Sequence, residues 1–248
     1  MKTIYILWLR QVKRYLRSKS RMIGSLAQPL LFLVSLSFGF GPVFQKAGEG
    51  NYLNFLVPGI IGMSIIFSAV FSGIEIIWDK QFGFLKETLV APVSRFNIML
   101  GRTLGGATMS VFQGLVVLVI SLFLGFRPTN WLMFPVLLIL MILVALLFTA
   151  LGTMIASLLD DMQGFQLIIN FLIMPLFFLS GAIFPLQGLP KALTIIASLD
   201  PLAYGIDSFR SVLINTSTFG LHVDVIVLSL TTLFFLSLGS YFFSKIEI

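Results

Sequence analysis

"WLMFPVLLILMILVALLFTALGTMIASLLDD", residues 131–161, runs from Trp131 to Leu159 without a charged side chain and stops at Asp160–Asp161. As a helix rising 1.5 Å per residue it is long enough to cross a hydrocarbon layer about 30 Å thick. Comparable apolar runs recur at residues ~22–44, ~53–78, ~100–125, ~165–184 and ~224–244. The whole chain shares this character: 248 residues, 58% hydrophobic, 10% charged, with a mean hydropathy of +1.03. Soluble domains carry about 25% charged residues. The expected fold is therefore an all-α integral membrane protein, one transmembrane domain over residues 1–248 with six transmembrane helices. A membrane β-barrel would show alternating segments of about 10 residues, which these continuous runs exclude.

Several chemistries are excluded at the same stage. The chain has no cysteine and one histidine, His222, so neither a thiolate metal site nor a catalytic thiol is available. His222 reads as a polar residue of an external loop. No G-x-x-x-x-G-K-[ST] phosphate loop occurs, and no Ser, His and Asp constellation points to hydrolysis. No catalytic, metal or cofactor-binding residue is expected on this chain. The net charge of +6 reads as a topology signal and not as a nucleic-acid footprint.

Residues 1–21 form the expected amphipathic interface helix. At 100° per residue Ile4, Trp8, Val12, Tyr15 and Leu16 gather on one side, and Arg10, Lys13, Arg14, Arg17 and Arg21 on the other. Such a helix lies in the headgroup plane with its cations toward lipid phosphate and water. With six spans both termini share one side. That side receives twelve of the 16 Lys and Arg residues and the other receives Lys46, Arg127, Lys191 and Arg210. The positive-inside rule then puts both termini in the cytoplasm, in a multi-pass protein of the cell membrane.

Two segments interrupt the pattern. Residues 185–210 contain Pro185, Gly188, Pro190 and Pro201 around "ALTIIASL", an apolar core too short to span, so the expectation is a re-entrant external segment between spans five and six. Residues 79–97, "DKQFGFLKETLVAPVSRFN", are a cytoplasmic polar island. Phe82, Leu85 and Leu89 are spaced i, i+3, i+7, as on one face of a short helix. Lys86 and Glu87 flank them, and Pro92 excludes the helical conformation at Ala91. That face either docks a partner or dips into the bilayer surface. Glu75, inside the second span, reads as a helix-end carboxylate reaching water. Small residues recur at packing spacing in Ser64/Ser68/Ser72, Gly101/Gly105 and Gly152/Ala156.

Two blocks, "FGFLKETLVAPVSR" (82–95) and "FFLSGAIFPLQGLP…SLDPLAYGIDSFR" (177–190 and 198–210), resemble type-2 ABC exporter permeases, especially the daunorubicin-resistance-like drug efflux branch. The likeness covers essentially the whole chain. It implies a permease that forms a homodimer and pairs with a separate ABC ATPase subunit, which would carry ATP and Mg. The resemblance assigns Phe82, Phe84, Leu85, Lys86, Glu87 and Leu89 to a coupling loop in an ATPase groove. It gives Arg10, Lys13, Arg14 and Arg17, with Trp8 on the same helix, a place facing that ATPase. The cargo implied is drug-like or amphipathic. A lipid-linked polysaccharide or teichoic acid exporter is the alternative, and a stand-alone secondary carrier or channel is the competing class.

Overall fold

The computed structural model describes residues 2–46, 50–90, 92–186 and 190–246; Ala91 and Gly188 lie outside the described residues. Among these the elements are α1 (Lys2–Arg17), α2 (Lys19–Lys46), α3 (Tyr52–Phe71), α4 (Ile74–Gln81), α5 (Phe84–Val90), α6 (Arg95–Phe123), α7 (Phe134–Leu158), α8 (Met162–Leu179), α9 (Lys191–Leu199), α10 (Pro201–Ile214) and α11 (Leu221–Ser244), with a 3₁₀ turn at Trp131–Met133. No strand occurs among the described residues. Six stretches are long and apolar enough to cross a membrane: Met22–Lys46, Tyr52–Gln81, Arg95–Phe123, Trp131–Leu158, Met162–Leu179 and Leu221–Ser244.

The bundle is built around α3, which is apolar on every side and almost wholly enclosed. Helices α6 and α7 pack along it, α11 lies along α7, and α2 covers the outside of α3. Hydrocarbon solvates leucine as well as protein does, so close backbone approach rather than apolar burial must hold such helices together. At the α3–α7 crossing a Cβ on Gly152 would sit 2.5 Å from the Val70 carbonyl oxygen, and one on Gly73 would sit 2.4 Å from that of Gly152. The two backbones touch there. The second span divides at the same place, α3 ending at Phe71 and α4 restarting at Ile74.

Helix starts are set by side-chain caps. Asn51 accepts from the Leu53 N–H at 3.0 Å, Ser94 from the Asn97 N–H at 3.3 Å, and Asp200 from the Leu202 N–H at 2.8 Å. Each supplies an acceptor for a first-turn amide that has no intrahelical partner. Helix ends are closed by cations. Lys80 Nζ donates to the carbonyls of Ser157 (3.1 Å) and Leu159 (3.0 Å) past the end of α7. Arg95 Nη1 donates to those of Ser244 (2.6 Å) and Ile246 (2.9 Å) at the end of α11. Both positions suit a positive charge at a helix C-terminus. The second set also brings the start of α6 against the end of the last span.

Helix α1 is seated on α6, where a Cβ on Gly101 would meet Leu7 Cβ at 2.9 Å and one on Gly105 would meet Gln11 Cβ at 2.5 Å. Leu7 and Tyr15 are buried while Leu16 is 50% exposed, so the seam runs through Ile4, Leu7, Trp8, Gln11 and Tyr15. The fifth span ends at Leu179 instead of continuing to residue 184, because the chain turns at Gly181 with φ +75°. The segment after it consists of two helices, with Pro190 at the N-cap of α9 and Pro201 in the first turn of α10. Pro185 lies in the irregular stretch between α8 and α9. Helix α10 runs four residues past 210, to Ile214, and is largely buried, whereas most of α9 is exposed.

Single cysteines introduced into this cysteine-free chain test the topology. Labels at Lys46, Arg127 and Ser217 should react with an impermeant reagent from outside intact cells, and labels at Lys86 and Lys245 only after permeabilisation. Outside labelling at Lys86 would overturn the six-span arrangement with both ends inside.

Candidate functional site

The end of the bundle carrying α1, α4 and α5 gathers most of the ionisable side chains. Asp79, 3% exposed, is the hub. Arg102 Nη2 lies 2.5 Å from its Oδ2, Arg10 Nη2 3.4 Å from Oδ1 and Arg14 Nη1 3.6 Å from Oδ1. Arg14 also reaches Glu75 Oε2 at 3.9 Å. Glu75 is 5% exposed, so the expectation of a water-facing carboxylate does not hold. Arg102, counted from the sequence toward the cytoplasmic side, sits inside α6 and is 5% exposed. Rings extend the contacts: Arg14 Cζ lies 5.4 Å from the Trp78 ring centroid and Arg10 Cζ 6.0 Å from that of Phe84.

The spacing explains the assembly. Glu75 and Asp79 stand four apart on α4, and Arg10 and Arg14 stand four apart on α1, so each pair lines one helix face. Trp8 Nε1 donates to Thr108 Oγ1 at 3.0 Å and fixes α1 at the other edge of its seat on α6. Lys13 and Arg17 stay exposed and Arg10 is 40% exposed at its side chain. The basic face expected for α1 is therefore divided between an internal clasp (Arg10, Arg14) and solvent (Lys13, Arg17).

The polar island divides in the same way. Asp79, Lys80 and Arg95 are engaged by other helices as described, leaving Lys86 and Glu87 exposed. The chain turns at Gly83, φ +80°, between α4 and α5. Phe82 is thus the C-cap of α4 and not part of α5, and it shares no helix face with Leu85 and Leu89. Helix α5 directs Leu85 (2% exposed) and half-buried Leu89 into the core. Phe82 (72% exposed), Phe84 (53%) and Val90 (80%) project outward instead. The outer apolar surface is a tip at the turn, resting on an inner pair of leucines.

Beside this clasp lies a cavity of about 400 Å³. Gln11 and Tyr15 from α1, Gln28 from α2, Phe67 from α3, and Arg102 and Gln113 from α6 line it. At the opposite end of the bundle Arg210 of α10 stacks 3.9 Å from the Phe55 ring centroid and donates to the Gly181 carbonyl at 2.6 Å. Asp207 accepts from Ser217 Oγ (2.8 Å) and from the N–H groups of Thr218 (2.7 Å) and Phe219 (2.8 Å). These bonds tie α10 to the turn before α11. Burial pushes the Asp200 carboxyl up to about 7, with the Leu202 N–H pulling the other way.

Residues 2–214 match the ABC-2 type transporter family, and the chain belongs to it. The chain is 32% identical over 214 residues to ycf38 of Cyanophora paradoxa, whose name calls it a transport permease; the match covers 84% of this chain and 72% of that one. It is 32% identical over 212 residues to ycf38 of Porphyra purpurea, covering 81% and 70%. Nodulation protein J of Rhizobium leguminosarum bv. trifolii is 28% identical over 237 residues, covering 94% and 87%. The chain is accordingly a multi-pass membrane permease of an ABC transporter, a transport subunit and not itself an enzyme. Permeases of this family typically work with a separate ATPase.

Asp79→Asn tests the clasp. It leaves the Arg102 guanidinium, 4% exposed at its side chain, without its counter-charge, and breaking such a pair costs about 3–5 kcal/mol. Thermal unfolding of the variant in lipid nanodiscs should show a lowered Tm, and α1 should become protease-accessible. Asp79→Asn combined with Arg102→Met should recover much of the loss. A double variant no more stable than Asp79→Asn alone would contradict the assignment.

Proposed function

We propose that this chain is the membrane-spanning half of an ATP-driven exporter, working as a pair of copies with a separate ABC ATPase that docks on the turn between α4 and α5. The observation that carries this reading is the pair Phe82 and Phe84, exposed at the α4–α5 turn on the Lys- and Arg-rich end of the bundle. The Arg10 guanidinium lies 6.0 Å from the Phe84 ring, and the base of the tip is fixed by Leu85 and by the Asp79 clasp. A protruding apolar tip on a rigid base suits insertion into a groove of a partner. Burying one Phe from water contributes about 1.5–3 kcal/mol. Exposed Lys86 and Glu87, and Lys13 and Arg17 on α1, form the polar rim of such a contact, where ion pairs contribute about 0–1 kcal/mol.

A stand-alone carrier is disfavoured by where the charges lie. Carriers coupled to protons or sodium keep ionisable groups near the midplane. Glu75, Asp79 and Arg102 instead lie within about two turns of one end of their helices, and Asp224 lies in the first turn of α11. The cargo we propose is amphipathic. Drug efflux, as in the daunorubicin-resistance-like branch, is one form of that reading. Export of a lipid-linked polysaccharide or teichoic acid is the other. Helices α9 and α10, joined at a proline and unequal in exposure, suit a re-entrant element on the external face.

The test is truncation of the tip. Phe82→Ala and Phe84→Ala should each weaken association with the ATPase subunit about thirtyfold, the equivalent of a 2 kcal/mol hot spot, and uncouple transport from ATP hydrolysis while insertion stays normal. Leu85→Ala should act differently, destabilising the permease itself by about 2–5 kcal/mol. Glu87→Gln should change association by less than about fivefold. Wild-type association and transport in Phe84→Ala would mean that the tip touches lipid and carries no coupling.

A further inference from the structure

Helix α4 carries a second set of contacts besides the Asp79 clasp. Lys80 Nζ, bonded to the Ser157 and Leu159 carbonyls, also lies 3.2 Å from Asp160 Oδ1. Gln81 Nε2 donates to the Asp160 carbonyl at 3.1 Å, and Trp78 Nε1 donates to Met162 Sδ. Three side chains of α4 thus hold both sides of the short turn that joins α7 to α8. Asp161 continues the series, accepting from the Gly164 N–H and capping α8. Capping α7 requires only acceptors at its own end, so the bonds to Asp160 and Met162 reach further, onto the start of α8. The residue after Gln81 is Phe82, where the docking turn begins.

Helix α8 itself is lightly held. Its buried residues are Phe165, Ile169, Ile173 and Phe177, a single ridge of every fourth residue, while Leu167 is 71% exposed and Phe171 87%. Among the described residues, the hydrogen bonds it receives from side chains of other helices fall at its two ends. One is the Trp78 bond to Met162. The others lie just past Leu179, where Arg210 donates to the Gly181 carbonyl at 2.6 Å and Tyr52 Oη to that of Ile183 at 2.8 Å. A helix that rests on one ridge and is bonded only near its ends can slide or tilt over its neighbours without unpacking them. We infer that Trp78, Lys80 and Gln81 are positioning residues that latch the start of α8 to the docking turn, so that α8 follows that turn through the ATPase cycle with the latch closed. This rests on the reading of the α4–α5 turn as the place where the ATPase docks.

The fluorescent amino acid acridonylalanine, incorporated in place of exposed Leu167, reports on α8 without using cysteine chemistry. The full-length permease and its ATPase subunit are assembled in nanodiscs and read without nucleotide and with ATP trapped by vanadate. The emission should differ between the two states. Lys80→Met combined with Gln81→Leu should abolish that difference, while the same probe in place of Leu233 on α11, 62% exposed, should respond as it does in the wild type. Lys80→Arg keeps the charge and the donors and should retain the Leu167 response. Association with the ATPase should stay within about twofold of wild type in both latch variants. A short bismaleimide joining cysteines introduced at Gln81 and Asp160 should leave the Leu167 response intact, and this arm decides the matter if the double variant does not fold. A Leu167 response of wild-type size in the double variant, no Leu167 response in a wild-type complex that hydrolyses ATP, loss of the response on crosslinking, or loss of ATPase association in the double variant would each overturn the assignment. The docking reading is decided separately, by ATPase association in Phe84→Ala.

Discussion

Asp79 meets three guanidinium groups from two helices, and the geometry of the whole basic end depends on that meeting. A carboxylate 3% exposed beside hydrocarbon is tolerated only if its charge is matched nearby. Arg102 matches it from α6, Arg10 and Arg14 from α1, and the three helices are thereby bound as one piece. Glycine makes the contact possible. Leu7 and Gln11 of α1 lie where side chains on Gly101 and Gly105 of α6 would stand, so α1 comes close enough for its arginines to reach α4. The α4–α5 turn stands directly on this piece, with Leu85 plugged into the core beneath it.

The six spans could be read from hydropathy because each is a long apolar run with at most one charged residue in the bounds read from the sequence, and one-dimensional information suffices for that. Less was legible wherever two segments distant in sequence had to meet. The two faces of α1 were plain, but their destinations were not: Arg10 and Arg14 turn inward only because α4 lies opposite. The matched four-residue spacings of Glu75/Asp79 and Arg10/Arg14 were the available signal. Gly101/Gly105 was visible as a packing pattern, yet its partner is α1 and not another span. The face assigned to Phe82, Leu85 and Leu89 failed for a local reason. Gly83 adopts a positive φ of +80°, which ends one helix and starts the next, so Phe82 and Leu85 cannot keep helical register.

Charges at the far end act in another way. Asp207 holds the loop before α11, and Arg210 holds the Phe55 ring and the Gly181 carbonyl, so α10 is fixed to α3, to the end of α8 and to the start of α11. Helix α9 is tied to α10 by Tyr204 Oη, which donates to the Ser198 carbonyl at 2.8 Å, and exposes Leu193, Ile195, Ile196 and Leu199 along its length. The molecule thus has a clasped unit at one end and a clasped α10 at the other. Between them lies the α3–α7 crossing, where backbones touch at Gly73 and Gly152. Packing that tight favours rigid displacement over continuous deformation, in keeping with the proposed docking of an ATPase at the α4–α5 turn.

The most direct test of this account is a pair of spin-label distances in the assembled transporter, measured with and without nucleotide. Labels at Lys13 and Lys86 bracket the clasped unit; labels at Lys86 and Leu193 bracket the bundle. The account predicts that the Lys13–Lys86 distance stays constant through the ATPase cycle while the Lys86–Leu193 distance changes. A Lys13–Lys86 distance that shifts with nucleotide as much as the longer one would contradict a clasp that moves as a single piece.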